Sequence, residues 1–339
     1  MQQPNKVLHL TPMRRTETRA GKLMVAFLLT IICFAVQAQW PAGRPVHLIV
    51  PFPAGSSPDL IARHLGAALS KELRQTVVIE NKPGAGGNIG TRYVARATPD
   101  GYTLLYTING PLVTAPALYQ KTLGYTPLKD LAPITLVATS PNVLVVGNAF
   151  KNSSLADFVV QARARPGVLN YGSVGIGSAS QLAMELLAKQ AGIQMNHVPY
   201  AGFPQIMTAL LAGDIQAAFM VPAIAMPQIK EAKVHALGIS SLEPVSTLPG
   251  ITPLAHQGFT GFEAISWNAI LAPAGTPVAI LEKLNRVLIE IIRSPDMMNT
   301  LALNHFSAVG SSAETLRAVI EQDTLRWEPV IKQLQLSLD

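Results

Sequence analysis

Short apolar runs alternate with amphipathic stretches along most of the chain. Residues 46–51 (Val-His-Leu-Ile-Val-Pro) and 76–80 (Thr-Val-Val-Ile-Glu) read as β-strands, each leading through a loop into a helix. After the first strand, Phe52-Pro53-Ala54-Gly55-Ser56-Ser57-Pro58-Asp59 turns into a helix expected from near Leu60. That helix is expected to place Leu60, Ile61, His64, Leu65, Ala68 and Leu69 on its packed side, with Arg63, Lys71 and Glu72 towards solvent. After the second strand, Pro83-Gly84-Ala85-Gly86-Gly87-Asn88-Ile89-Gly90 enters a helix that continues through Tyr93 and Val94. Two strand-loop-helix units in succession predict neighbouring parallel strands, and in open α/β sheets the ligand crevice lies at the carboxyl ends of the strands. Both loops therefore open on one crevice. A third strand, 102–107, follows the Pro99-Asp100-Gly101 turn and ends at Thr107 beside it.

A second block begins around Asn142 with a strand over 143–147, a helix over 155–165 stopped by Pro166-Gly167, and a short strand over 169–171. The loop Gly172-Ser173-Val174-Gly175-Ile176-Gly177-Ser178 then runs into a helix over 179–190, with Ser173 and Ser178 available as hydroxyl donors or caps. A helix over 204–211 and a strand over 215–220 follow, and the block ends near Gly261. The chain returns through 264–267 and 269–272 and closes with helices over 277–293 and 313–336. No low-complexity linker separates the blocks, so short crossings join them.

Four glycines between Gly84 and Gly90 leave backbone N–H groups unshielded, and the helix that follows adds its free N-terminal donors and positive dipole end. That is a socket for an anion. Gly86 and Gly87 are expected to approach the ligand so closely that a Cβ would collide with it. A tight strand-to-helix turn would use the same glycines for positive φ, and capping alone would account for one serine.

At 339 residues the chain suggests two domains. With 49% hydrophobic and 14% charged residues it is not a disordered protein. The formal charge of +6 is largely a leader effect, because residues 1–38 hold five basic residues and one acidic one, and the remainder carries +2. No basic stripe with interleaved aromatics points to nucleic acid. The leader has a basic region, 13–22, an apolar run, 23–36, and small residues at Val36-Gln37-Ala38, the order of a secretion signal cleaved after Ala38. The apolar run is too short for a comfortable membrane span. Met13 would begin a signal of conventional length. Cys33, the only cysteine, falls inside it, so the exported chain contains no intramolecular disulfide.

Catalytic signatures fail in turn. A G-x-G-x-x-G from Gly84 would need glycine where Ile89 stands, and neither G-x-S-x-G, H-E-x-x-H nor a zinc-type cysteine pair occurs. No catalytic residue, metal or cofactor is expected.

Trp40-Pro41 with Arg44-Pro45-Val46, the Pro51-Phe52 loop ending in Asp59, the run from Glu80 to Gly90, Pro99-Asp100-Gly101-Tyr102-Thr103-Leu104, Asn170-Tyr171, His197-Val198-Pro199-Tyr200 and the run from Leu271 to Pro277 together give a resemblance. In order and number these motifs resemble the Bug (TctC-like) solute-binding proteins of tripartite tricarboxylate transport systems, across essentially the whole mature chain. The resemblance implies an α/β type II periplasmic binding-protein fold, two lobes with a hinge between them. It puts lobe 1 at residues 39–141 and 262–339, and lobe 2 at 142–261. The carboxylate grip then falls on Phe52, Pro53, Ala54, Gly55, Ser56 and Ser57 and on Ala85, Gly86, Gly87 and Asn88, with Thr107 nearby and Ser173, Ser178 and Met220 facing from the second lobe. The implied function is that of a monomeric periplasmic binder that captures a small organic carboxylate and delivers it to membrane permease subunits. Handing the loaded state to a sensor kinase would require the same closure. Two departures bear on the ligand: Gly55-Ser56-Ser57-Pro58 replaces a usual Gly-Gly pair, and Met220 stands where the family commonly has an acid, which argues against an amino-acid ligand.

Overall fold

The computed structural model, which describes residues 40–339, sorts the strands into two sheets. One contains β1 (Val46–Val50), β2 (Val77–Asn81), β3 (Thr103–Ile108), β4 (Leu131–Pro141), β10 (Ile265–Pro273) and β11 (Ser307–Ala308), in the order β11-β4-β10-β3-β1-β2. The other contains β5 (Val143–Val146), β6 (Asn170–Ser173), β7 (Asn196–Pro199), β8 (Ala217–Met220) and β9 (His235–Ile239), in the order β7-β6-β8-β5-β9. β1 runs parallel to both β2 and β3, as its buried Val-His-Leu-Ile-Val sequence requires of a strand covered on both faces. The loops after β1 and β2 leave from the same edge of the sheet.

The helix after β1 spans Ser57–Leu73 and begins earlier than expected, because Pro58 fits the first turn, where its missing N–H has no role. Its buried face is Asp59, Ile61, Ala62, Leu65, Gly66, Leu69 and Leu73. Leu60 is 44% exposed and His64 is also exposed, so the packed stripe is rotated from the expected one.

The two sheets are joined at β4 and β10, which pair antiparallel. Residues 131–141, which carry no clear strand signal, form a strand that passes into β5 with only Asn142 between. Its Pro133 is accommodated at a bulge, where the register steps from Ile270↔Thr135 to Leu271↔Pro133. β10 is likewise one strand, not two pieces, with a second register shift between Asn268 and Ala269. The return from β9 passes Ser240 and Ala264, and both meet the outgoing crossing. Ser240 Oγ donates to Ala264 O at 2.8 Å, and the Asn142 N–H donates to Ser240 Oγ at 2.8 Å.

Residues 43–339 form one compact unit. Its main core runs from Ile49 and Leu105 of the first sheet to Leu144 and Phe158 of the second lobe, and the final helix, Ala313–Gln333, adds Leu316, Ile320 and Trp327 to it. A second cluster, with Val143, Val145 and Met220, fills the other face of the second sheet. No helix among the described residues is long and apolar enough to cross a membrane. The leader, Met13 and Cys33 lie outside the described residues.

Candidate functional site

Asp59 holds the first loop. It is 1% exposed; its Oδ2 accepts from the Gly55 N–H at 2.8 Å and from Arg63 Nε at 2.9 Å, and its Oδ1 accepts from Asn81 Nδ2 at 2.9 Å. Asn81 Nδ2 also donates to Phe52 O at 3.0 Å, so one carboxylate ties the loop to its own helix and to the end of β2. Burial pushes the Asp59 carboxyl up, but hydrogen bonds from Arg63, Gly55 and Asn81 outweigh it and hold the group below its ordinary value. This acid is committed to the loop.

The second loop bends through positive φ at Gly84, Ala85, Gly86 and Gly87 before the helix Asn88–Ala95. The Gly87 N–H donates to Gly84 O at 3.0 Å. A Cβ on Gly87 would lie 2.9 Å from Pro111 Cγ and 3.0 Å from Phe52 Cζ, so its missing side chain makes room for protein, contrary to the expectation of a ligand against it. A Cβ on Gly86 would meet nothing within 4 Å. Asn88 is buried, and its side-chain amide lies 3.0 Å from the Tyr125 hydroxyl, which also bonds Pro111 O at 2.7 Å.

In the second lobe a neutral network shapes the loop between β6 and the helix Ala179–Ala191. Gln181 Oε1 accepts from the Gly177 N–H at 2.6 Å, which turns its NH2 group towards His197 Nδ1, 3.3 Å away. His197 therefore carries its proton on Nε2, which lies 2.6 Å from Ser173 Oγ, while that hydroxyl donates to Gly175 O at 3.0 Å. Burial holds the His197 imidazole below its ordinary value. Tyr171 stacks on His197 with ring centroids 5.0 Å apart. Ser178 is the helix cap: it accepts from the Gln181 N–H at 3.3 Å and donates to Gly175 O at 2.7 Å.

These loops enclose a cavity of about 550 Å³ between the lobes. Of the residues expected there, Phe52, Ser57, Gly86, Asn88 and Ser178 line it. Pro53, Ala54, Gly55, Ser56, Ala85 and Gly87 belong to the same two loops but do not line it. Thr107, Ser173 and Met220 are fully buried, and their chain neighbours Ile108, Val174 and Val221 reach the wall. Met220 pairs with Val143 inside the second sheet.

Sequence reasoning missed three buried amides on the wall, Asn109, Asn142 and Asn268. Asn268 is 2% exposed, and its side-chain amide faces the buried Tyr106 hydroxyl. The available signal was a lone amide in the otherwise apolar return segment 264–272.

Three helices, Ser57–Leu73, Asn88–Ala95 and Ala179–Ala191, begin at the cavity and turn their positive dipole ends towards it. No Lys, Arg, His, Asp or Glu is among the described residues that line it. No group of three or more His, Cys, Asp or Glu among the described residues could hold a metal ion.

Two mixed α/β lobes, joined by paired crossings and closing on an uncharged cavity rimmed by helix N-termini, are the construction of a two-lobed solute-binding protein. The tripartite tricarboxylate transporter family receptor model, TctC, matches residues 61–336, and the chain belongs to that family of solute-binding receptors. Protein BugT of Bordetella pertussis is 32% identical over 317 residues, 93% of this chain and 97% of BugT. Among solved structures, R. palustris Rpa4515 with adipate superimposes with a TM-score of 0.76 at 31% identity, over 88% of this chain and 100% of that one. MatC from Rhodopseudomonas palustris with bound malate gives 0.72 at 30% identity, over 86% of this chain and 100% of that one. The periplasmic binding protein BugD gives 0.71 at 33% identity, over 87% and 99%.

Proposed function

We propose that this periplasmic solute-binding protein captures a small organic carboxylate between its lobes and delivers it to the permease of a tripartite tricarboxylate-type transporter. The observation that carries this reading is the convergence of three helix N-termini on an inter-lobe cavity without a charged wall. Helix N-termini favour an anion, and the adipate and malate held by two structural neighbours are carboxylates. The lobes divide at Asn142 and near Gly261, and their closure swings on the Asn142, Ser240 and Ala264 contacts. Closure removes water from the cavity, which strengthens each dipole-to-anion contact. The site binds and releases its cargo unchanged, and the leader is removed after Ala38.

Native mass spectrometry of freshly purified protein, followed by denaturation and identification of the released molecule, tests this reading. It expects a carboxylate that is still intact after prolonged incubation with the protein. A released compound without a carboxyl group, or one converted on incubation, would overturn it.

A further inference from the structure

Resting on the carboxylate reading, we infer that the tail after the final helix is an end stop, whose Leu338 side chain closes one end of the cavity and sets the length of the cargo. The helix Ala313–Gln333 finishes by turning the chain back: Gln335 takes a φ of 52°, and the Leu336 N–H donates to Ile331 O at 3.2 Å. The tail beyond it is then pinned to segment 118–122. The Leu338 N–H donates to Leu118 O at 2.8 Å. Asp339 Oδ1 accepts from the N–H groups of Lys121 and Thr122 at 2.9 and 3.1 Å, and from Thr122 Oγ1 at 3.0 Å. Leu338 lines the cavity, as does Trp327 of the helix itself, whereas Leu336 packs on the core without lining it.

Segment 109–119 leads from the glycine-rich loop to this tail. Near its start Pro111 lies 2.9 Å from where a Cβ on Gly87 would sit, beside Phe52. Near its end Leu118 lies 2.4 Å from where a Cβ on Gly177 would sit, and its carbonyl holds the tail. Phe52, Gly86 and Asn88 therefore mark one end of the cavity, and Leu118, Gly177 and Leu338 the other. Helix N-termini stand at both ends, Ser57 and Asn88 at the first and Ala179 at the second. A carboxylate held at the first end sends its body, with or without a second carboxylate, towards the second, where Leu338 limits its reach. A longer body would have to displace a packed and pinned side chain, and overfilling of that kind is costly. The family match ends at residue 336, so Leu338 lies outside the matched stretch, and cargo length can be set there without altering the loops that receive the anion.

Straight-chain monocarboxylates and dicarboxylates of four, six and eight carbons, butanoate to octanoate and succinate to suberate, measure this length by calorimetric titration of the ligand-freed protein. Leu338→Ala is expected to raise the affinity ratio of the eight-carbon to the four-carbon acid at least tenfold, within whichever series binds. Leu338→Trp is expected to move the same ratio at least threefold the other way. Asp339→Ala, which removes the pin and leaves the leucine, should shift it in the direction of Leu338→Ala by a smaller factor. Leu336→Ala trims the tail away from the cavity and is expected to leave the ratio unchanged.

A folded Leu338→Ala or Leu338→Trp protein with the wild-type ratio overturns the inference and leaves the carboxylate reading standing. A shift in Leu336→Ala as large as that in Leu338→Ala would show general loosening of the tail and would also overturn it. Binding of none of the six acids by the wild-type protein overturns the carboxylate reading, and the end stop with it.

Discussion

The two lobes hold their cavity loops by different chemistry. The first-lobe loop hangs on one buried carboxylate, Asp59, with three donors from Gly55, Arg63 and Asn81. The second-lobe loop hangs on neutral groups, Ser173, His197 and Gln181, whose order depends on a single imidazole tautomer. A charge-assisted brace is stiff and strong, whereas a neutral one is weaker and is rearranged by one proton. The first-lobe loop therefore has the stiffer brace, and the second-lobe brace is the one that a proton can rearrange.

The largest expected effect tests where the second lobe's core ends and its wall begins. Met220→Asp would bury an unpaired carboxylate in a fully covered strand and should cost roughly 4 kcal/mol or more, read from urea unfolding. A soluble variant of native stability would place Met220 on the wall after all.

Next comes the division of labour between two adjacent glycines. Gly87→Val meets Pro111 and Phe52 at a φ of +98° and should lose roughly 3 kcal/mol of stability. Gly86→Ala, with open space at its Cβ, should cost about 1 kcal/mol for its left-handed backbone and lower ligand affinity instead. Calorimetry and denaturation on both variants decide it. If Gly87→Val weakened binding with its folding intact, the glycine would face the cargo.

Asp59→Ala strips the first loop of its brace and is expected to cost about 2 kcal/mol, since three hydrogen bonds to one buried carboxylate are lost together. Ser173→Ala should cost about half as much. Equal losses, compared by denaturation midpoint, would erase the distinction between the charged and neutral braces.

The smallest effect is the response to acid. The His197 pKa is depressed in the folded state, so the unfolded chain takes the proton first as pH falls. Stability from this group is complete above the ordinary histidine value of about 6.5 and declines below it. The Tyr171 hydroxyl, which bonds Glu185 at 2.5 Å, is pushed up first by burial and then by that carboxylate, so the stacked ring stays neutral throughout. Asp59 is also depressed, and its contribution persists above about 3.9 and is lost only as pH falls through its lower folded value. Unfolding free energy measured between pH 7 and 5 should decline in the wild type and flatten in His197→Gln. An unchanged slope would remove His197 from the acid response.

The elements with strong local signals were legible from residues alone. Parallel β1 and β2, the helix start at Ala179, and both glycine-rich loops follow from apolar runs, clustered glycines and a capping Ser178. The glycines ahead of the helix Asn88–Ala95 were legible for the same reason, because a cluster of glycines marks a backbone bend whatever the rest of the chain does.

Long-range pairing decided what was not legible. β4 carries Pro133, which argues against a strand in isolation; only the bulge against Leu271 lets it pair. That antiparallel partnership between segments far apart in sequence makes the two crossings and brings Asn142 and Asn268 to one wall. Which glycine faces the cavity was equally beyond local reasoning, since Gly86 and Gly87 differ by where Pro111 and Phe52 pack. Local propensity is set by neighbours along the chain, whereas the cavity wall is set by which distant side chains already occupy the space and hold the hydrogen bonds.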